Sequence, residues 1–245
     1  MIREVKHFIG NNTIIGRFFR NIVIKRNEAL RQIYHDNEIK KMRQYGLEAL
    51  QVFDECVTSH GYSYSLATGT LLGAIREKGF IPHDEDIDVF MWIEDFNESL
   101  YKVLEEVGFQ RQHTYTVDNG KSGREDSFLY KGVQLDIFYI CPPVDEFPYF
   151  TDYLYFGGCS TVESSVKKHG GLLPRRLNLP IKKEFVRVPF ESLCLPVPTN
   201  AHEVLVFRYG KDYMTPNPQW GAREANPNIV EWIGKIGKVQ RFKHD

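Results

Sequence analysis

No stretch of this chain is both long and apolar enough to cross a bilayer, and its four cysteines, Cys56, Cys141, Cys159 and Cys194, include no C-x-x-C pair. The first absence, with no small-residue cleavage site near the amino terminus, predicts a chain that is neither integral nor secreted by a signal peptide. The second argues against a zinc site or a disulfide framework and fits reduced thiols in the cytoplasm. Net charge is nearly missing too: 31 basic and 32 acidic residues leave −1, so there is no basic footprint for nucleic acid. Repeats and low-complexity tracts are absent. What remains is 245 residues of ordinary composition, 42% apolar, enough for one large domain or a domain with an appended lobe.

Against this even background one segment stands out. Asp84, Glu85, Asp86 and Asp88 crowd the mouth of an apolar strand, shortly after Gly69-Thr70 and a basic loop with Arg76 and Lys78. Carboxylates this close repel one another and resist burial unless a cation neutralises them. From Ile87 the apolar residues Ile87, Val89, Met91 and Ile93 alternate with period two, so Asp86 and Asp88 share one strand face roughly 7 Å apart. Oxygen ligands so placed suit Mg2+ or Mn2+ together with substrate phosphates. Glu85 reads as a solvated loop charge. Asp84 reads as a ligand, an acceptor behind the ligands, or a turn cap.

Asp136 is the lone carboxylate in the strand-forming run Lys131–Ile140. Buried alone it would cost several kcal/mol; it is tolerable if its strand lies beside that of Asp86 and Asp88, so that three carboxylates converge. The plainer alternative is an edge-strand aspartate facing water. Before the acidic strand, Ser63–Ala67 predicts a short strand and Leu71–Glu77 a brief helix whose amino end would face a phosphate. Gly69 would allow close backbone approach and Thr70 would offer its hydroxyl. Arg76 and Lys78 are the candidate cations for the leaving group, and Lys121 and Arg124, in an expected flexible stretch from Thr116 to Asp126, are candidate phosphate clamps.

The remaining organisation is simple. Residues 1–26 form a basic leader with Arg17 and Arg20 among Ile15, Phe18, Phe19 and Ile22 at helical spacing, which suits either an anionic membrane surface or packing on the catalytic domain. Asn27–His60 and Phe96–Val107 predict helices, as does Ala201–Tyr209. Residues 142–198, rich in Pro, Gly and aromatics and carrying Lys167, Lys168, His169, Arg175 and Arg176, suggest an acceptor-binding insertion within a catalytic domain spanning 27–245. The tail beyond Trp220 is expected to be mobile or partner-bound.

The Gly-Thr turn, the D-x-D strand and the third aspartate resemble the polymerase-β type of nucleotidyltransferase. The longer string Gly69–Arg76, then Lys78–Pro82, then Asp84–Asp88 resembles the LicD family of phosphocholine and fukutin-type ribitol-phosphate transferases. Gln134–Phe138 and Arg208–Pro216 match further motifs of that family, and the resemblance runs from about Tyr45 to Pro218. It implies an α/β (α+β) fold, a mixed sheet flanked by helices, with Asp86, Asp88 and Asp136 catalytic. It also implies a CDP-linked donor and a glycan or lipid-linked saccharide acceptor, on the cytoplasmic membrane face. His83 stands where the family often has Trp, and Glu85 where it commonly has Asp. An aromatic wall suits a quaternary ammonium, so His83 leaves the transferred group open. NMP transfer from a triphosphate and an inactive nucleotide-binding scaffold are the alternative functions.

Overall fold

The computed structural model describes residues 14–143, 149–155, 159, 161–217 and 228–243. Helix α1 runs from Ile14 to Ser59. No proline interrupts this stretch and good helix formers fill it, so it passes Asn27 without a break. Met42, Ala49, Leu50, Phe53 and Val57 recur every three or four residues and are buried. Residues 29–37 are exposed, so this part of the helix projects from the body. Residues 1–13 of the leader lie outside the described residues.

Nine strands make the main sheet. Strand β1 (Tyr64–Leu66) leads into α2 (Thr68–Arg76) and β2 (Asp86–Trp92). After α3 (Ser99–Glu106) come β3 (Gln110–Val117), β4 (Gly123–Tyr130) and β5 (Val133–Cys141). Then follow β6 (Tyr149–Tyr155), α4 (Val162–His169) and β7 (Leu173–Leu179). A separate hairpin, β8 (Phe185–Phe190) with β9 (Leu193–Pro198), precedes α5 (Ala201–Tyr209), β10 (Ile229–Glu231) and β11 (Gly237–Arg241). The sheet order is β10-β7-β6-β5-β4-β3-β11, with β2 joined to β5 and β1 to β2. Among the described residues only β2 and β5 pair in parallel; the other pairs are antiparallel. This is the expected mixed sheet flanked by helices, mostly antiparallel.

Ile87, Val89, Leu135 and Ile137 are fully buried. On the face they share, Tyr101 of α3 donates to Asp126 of β4, and Cys56 of α1 donates to the Val103 carbonyl of α3. On the other face α2 and α5 cover the sheet, with Leu71, Phe90, Leu177, Leu179, Val204 and Leu205 around one small apolar gap. Within α2, Gly73 is required by packing: a Cβ there would lie 2.4 Å from the Gly79 carbonyl oxygen.

Two expectations need correction. The stretch 116–126 is not a flexible loop, because left-handed Asp118, Asn119 and Gly120 fold it into a tight turn between β3 and β4. Within residues 142–198, the described β6 and β7 extend the main sheet, and Leu177, Leu179, Phe190, Leu195 and Val197 belong to the core. The tail is also tied down in part, since β10 pairs with β7 and β11 with β3; residues 221–227 lie outside the described residues.

Candidate active site

The parallel register of β2 and β5 sets Asp88 directly beside Asp136, and Asp86 beside Gln134. Because alternate residues share a face, Asp86, Asp88 and Asp136 project together, and each offers an oxygen within 4.8 Å of the others. The backbone is pinned on the α2 side. The Asp88 N–H donates to the Thr70 hydroxyl at 3.0 Å, and the Ala67 N–H donates to the Asp88 carbonyl at 3.0 Å. Gln134 Nε2 donates to Asp136 Oδ2 at 2.8 Å and the Ser127 hydroxyl also favours the Asp136 carboxylate, although among the described residues Asp136 Oδ1 makes no hydrogen bond of good geometry.

The electrostatics are those of negative charge lacking compensation. Burial, then Asp136 and Glu85, push Asp86 up to about 7. Burial, then Asp86, Asp136 and Asp84, hold Asp88 well above the usual carboxylate range. Burial and Glu125 lift Asp136 to about 6. Among the described residues no Lys or Arg is ion-paired with any of the three. Three converging carboxylate oxygens fit a hard divalent cation.

The other candidates divide. Asp84 lies outside the cluster: its Oδ2 accepts from the Ile81 N–H at 2.8 Å, so of its three readings the turn cap is the one observed. Burial raises it to about 6. Thr70 is 1% exposed and its hydroxyl is engaged by Asp88, so it positions that strand and does not face a phosphate. Helix α2 starts at Thr68, earlier than expected, which places Gly69 and Thr70 inside its first turn. A Cβ on Gly69 would make only ordinary contact with the protein, 3.5 Å from Asp84 Oδ1. Thr68 itself has φ 40, a sparsely populated conformation for a β-branched residue and a local strain beside the site.

Arg124 is the clearest correction. Its Nε donates to Asp126 Oδ2 at 2.9 Å, and its guanidinium lies 3.9 Å from the Phe96 ring centroid. It shares a strand face with Asp126, whereas Ser127, directly opposite Asp136, faces the other way. Arg124 is therefore on the wrong side of the sheet to clamp a phosphate at the aspartates. Lys121 is exposed in the β3–β4 turn, and Lys78 is exposed in a left-handed turn outside the cleft.

Arg76 and His83 do meet. With Leu72, Ile81, Tyr209, Tyr213 and Pro216 they line a cleft of about 680 Å³. Arg76 is held there by Glu77 Oε1 at 2.7 Å and the Tyr213 carbonyl at 3.2 Å. The cleft adjoins the aspartates through the turn 81–84, and it brings in Tyr209 and Tyr213 from the carboxyl-terminal Tyr-Gly motif, to which the sequence alone attached no role.

Residues 61–200 match the family described as LicD/FKTN/FKRP, nucleotidyltransferase domain. The mouse ribitol-5-phosphate transferase FKTN is 28% identical over 203 residues, covering 82% of this chain and 40% of that protein. The lipopolysaccharide cholinephosphotransferase LicD of Haemophilus influenzae is 38% identical over 92 residues, 38% of this chain and 32% of that protein. An uncharacterised Rickettsia prowazekii protein is 26% identical, covering 80% of this chain and 79% of its own length. The chain thus spans about 40% of the length of the fukutin-type relatives it matches.

Proposed function

This chain belongs to the LicD/FKTN/FKRP family, and from that premise we propose that it transfers a substituted phosphate from a CDP-linked donor to a hydroxyl of a glycan or lipid-linked saccharide, releasing CMP. The observation that carries this reading is the convergence of Asp86, Asp88 and Asp136 without a paired cation, inside the matched segment. Two relatives are named for moving ribitol phosphate and phosphocholine, which supports a phospho-alcohol as the transferred group.

The three aspartates would hold Mg2+ or Mn2+, which supplies neutralisation of the phosphate charge that builds up during displacement. The cleft lined by Arg76 and His83 takes the nucleotide, with Arg76 offering positive charge to the departing phosphate. Asp136 accepts the proton of the attacking hydroxyl. The new bond joins acceptor oxygen to phosphorus, and the bond from phosphorus to the CMP oxygen breaks with its electron pair leaving on CMP.

The test separates products. Incubated with magnesium, CDP-choline or CDP-ribitol and a saccharide acceptor, the protein should release CMP in step with phosphodiester formation. Pyrophosphate from a nucleoside triphosphate with no CMP would mean NMP transfer instead. Nucleotide binding with no turnover of either kind would mean a scaffold.

A peripheral seat on an anionic membrane, at its cytoplasmic face, is part of the same proposal. Among the described residues no helix is long and apolar enough to cross a membrane. Leu30, Ile33 and Tyr34 are 54%, 57% and 56% exposed on the projecting part of α1, at helical spacing, and His35 on the same stretch contacts Glu85 beside the aspartates. The protein should co-sediment with vesicles containing phosphatidylglycerol and less with phosphatidylcholine alone, and the variant Leu30→Asp/Ile33→Asp should weaken binding by about tenfold or more. Equal sedimentation of variant and parent would remove this surface from the proposal.

A further inference from the structure

The face that carries the three aspartates continues beyond them. Asp136 sits opposite Ser127 of β4, Ser127 opposite His113 of β3, and His113 opposite Arg241 of β11. One row of side chains therefore crosses the sheet from Asp88 to Arg241 on a single face. Next to this row Glu125 pairs with Tyr115. The His113 and Tyr115 rings are 4.4 Å apart, tilted by 37°, and His113 Nε2 lies 3.9 Å from Glu125 Oε1.

A bulge builds this arrangement. The β3–β4 register shifts between Arg111 and His113, so Arg111 pairs with Phe128 but His113 with Ser127. Arg111 accordingly stacks on Tyr101, 4.1 Å from its centroid, on the α3 side, while His113 turns to the face of the aspartates. In an unbroken strand, positions 111 and 113 would share a face. Bulges commonly re-aim a side chain beside an active site.

We propose that His113, Tyr115 and Glu125 form the acceptor subsite, which takes a hydroxyl-rich saccharide and presents its hydroxyl to phosphorus from the side opposite the nucleotide. This rests on the transferase reading above. The two places are built from different elements: the cleft of Arg76 and His83 from α2, the 81–83 turn and the segment after α5, the group of His113, Tyr115 and Glu125 from β3 and β4. Attacking and leaving oxygens in phosphoryl transfer are roughly in line, so a nucleotide and an acceptor need separate surfaces meeting at phosphorus. Strand spacing sets the β4 and β3 backbones about 5 and 10 Å from that of Asp136, within the span of a sugar ring. A tilted pair of rings gives the ring a face to stack on, and the phenol, imidazole and carboxyl give its hydroxyls both donors and acceptors.

The test uses saturation-transfer NMR on the magnesium-loaded protein with CMP bound and millimolar methyl glycosides of galactose, glucose and N-acetylglucosamine as probes. At least one glycoside should show transfer to its ring protons, and Tyr115→Ala and Glu125→Ala should each reduce it by about tenfold, the order of one or two lost hydrogen bonds. CMP affinity, read in the same samples, should move by less than about twofold. If the alanine variants unfold, Tyr115→Leu with Glu125→Met, which keep the volume but remove the ring and the polar atoms, carries the same expectation. No transfer to any glycoside in the parent protein, or undiminished transfer in the variants, overturns the subsite. CMP release that depends on acceptor, with glycoside binding indifferent to these residues, defeats the subsite alone. Glycoside binding that the variants abolish, without CMP release from any CDP-linked donor, defeats the transferase reading and leaves the saccharide site standing.

Discussion

Asp88→Asn is expected to lower turnover by at least about a thousandfold, ~4 kcal/mol of transition-state stabilisation, while raising the melting temperature of the cation-free protein. The two effects share a cause. Asp88 stands beside Asp86 and Asp136 with no basic side chain paired to any of them, so each ionised carboxylate works against the native state until a cation arrives. Their folded-state pKa values are raised, to about 7 for Asp86 and about 6 for Asp136. The folded protein therefore binds more protons than the unfolded chain between about pH 4 and 7, and the stability these groups contribute is lost as pH rises through that window. Asparagine at 88 removes one of the repelling charges, so the gain in melting temperature should be small near pH 4 and grow as pH rises above it. Magnesium should reverse the order, stabilising the parent at pH 8 by mass action and leaving the variant nearly unmoved. Calorimetric melts with and without the metal, alongside CMP release, check both halves. Parent-like turnover, or a variant less stable than the parent at pH 8 without metal, would sink the assignment.

Asp126→Ala is expected to cost about 3–5 kcal/mol in a urea titration, since it strips a buried cation of its partner. Asp126 is 0% exposed and accepts from Thr114 Oγ1 at 2.6 Å, Arg124 Nε at 2.9 Å and the Tyr101 hydroxyl at 3.0 Å. Without it, Arg124 keeps its place over Phe96 with no carboxylate. The double variant Arg124→Met/Asp126→Leu should recover most of the loss, because replacing both partners removes the uncompensated charge. A single variant that unfolds at the parent's urea midpoint would show that the pair contributes little.

The local features were the legible ones. Period-two alternation around Asp86 and Asp88 is a property of consecutive residues, and it correctly set the two carboxylates on one face. Asp136 was legible as an isolated charge among strand formers, since such a charge needs a nearby reason. What lay beyond reach depended on pairing between distant strands. Nothing near Arg124 in the chain says which way β4 faces, and only the β4–β5 register puts it behind the sheet. His113, Tyr115 and Glu125 were overlooked for the same reason, compounded by a bulge that reverses the side on which His113 falls. Thr70 was misread because its partner is the Asp88 amide, eighteen residues on. The carboxyl-terminal strands β10 and β11 are short, three and five residues, and their membership of the sheet rests on edges supplied by β7 and β3.

The single parallel pair in this sheet also bears on the order of assembly. Neighbouring antiparallel hairpins such as β3–β4 and β4–β5 close over a few residues, but β2 meets β5 only after a loop of about fifty residues is drawn shut, at an entropic cost of roughly 3 kcal/mol. That pairing also brings together facing carboxylates that repel. Contact order and charge therefore both work against the same step, and β2–β5 pairing should form later than the β3–β4 and β4–β5 hairpins, which pulse-labelled hydrogen exchange would show as later protection of the β2 amides.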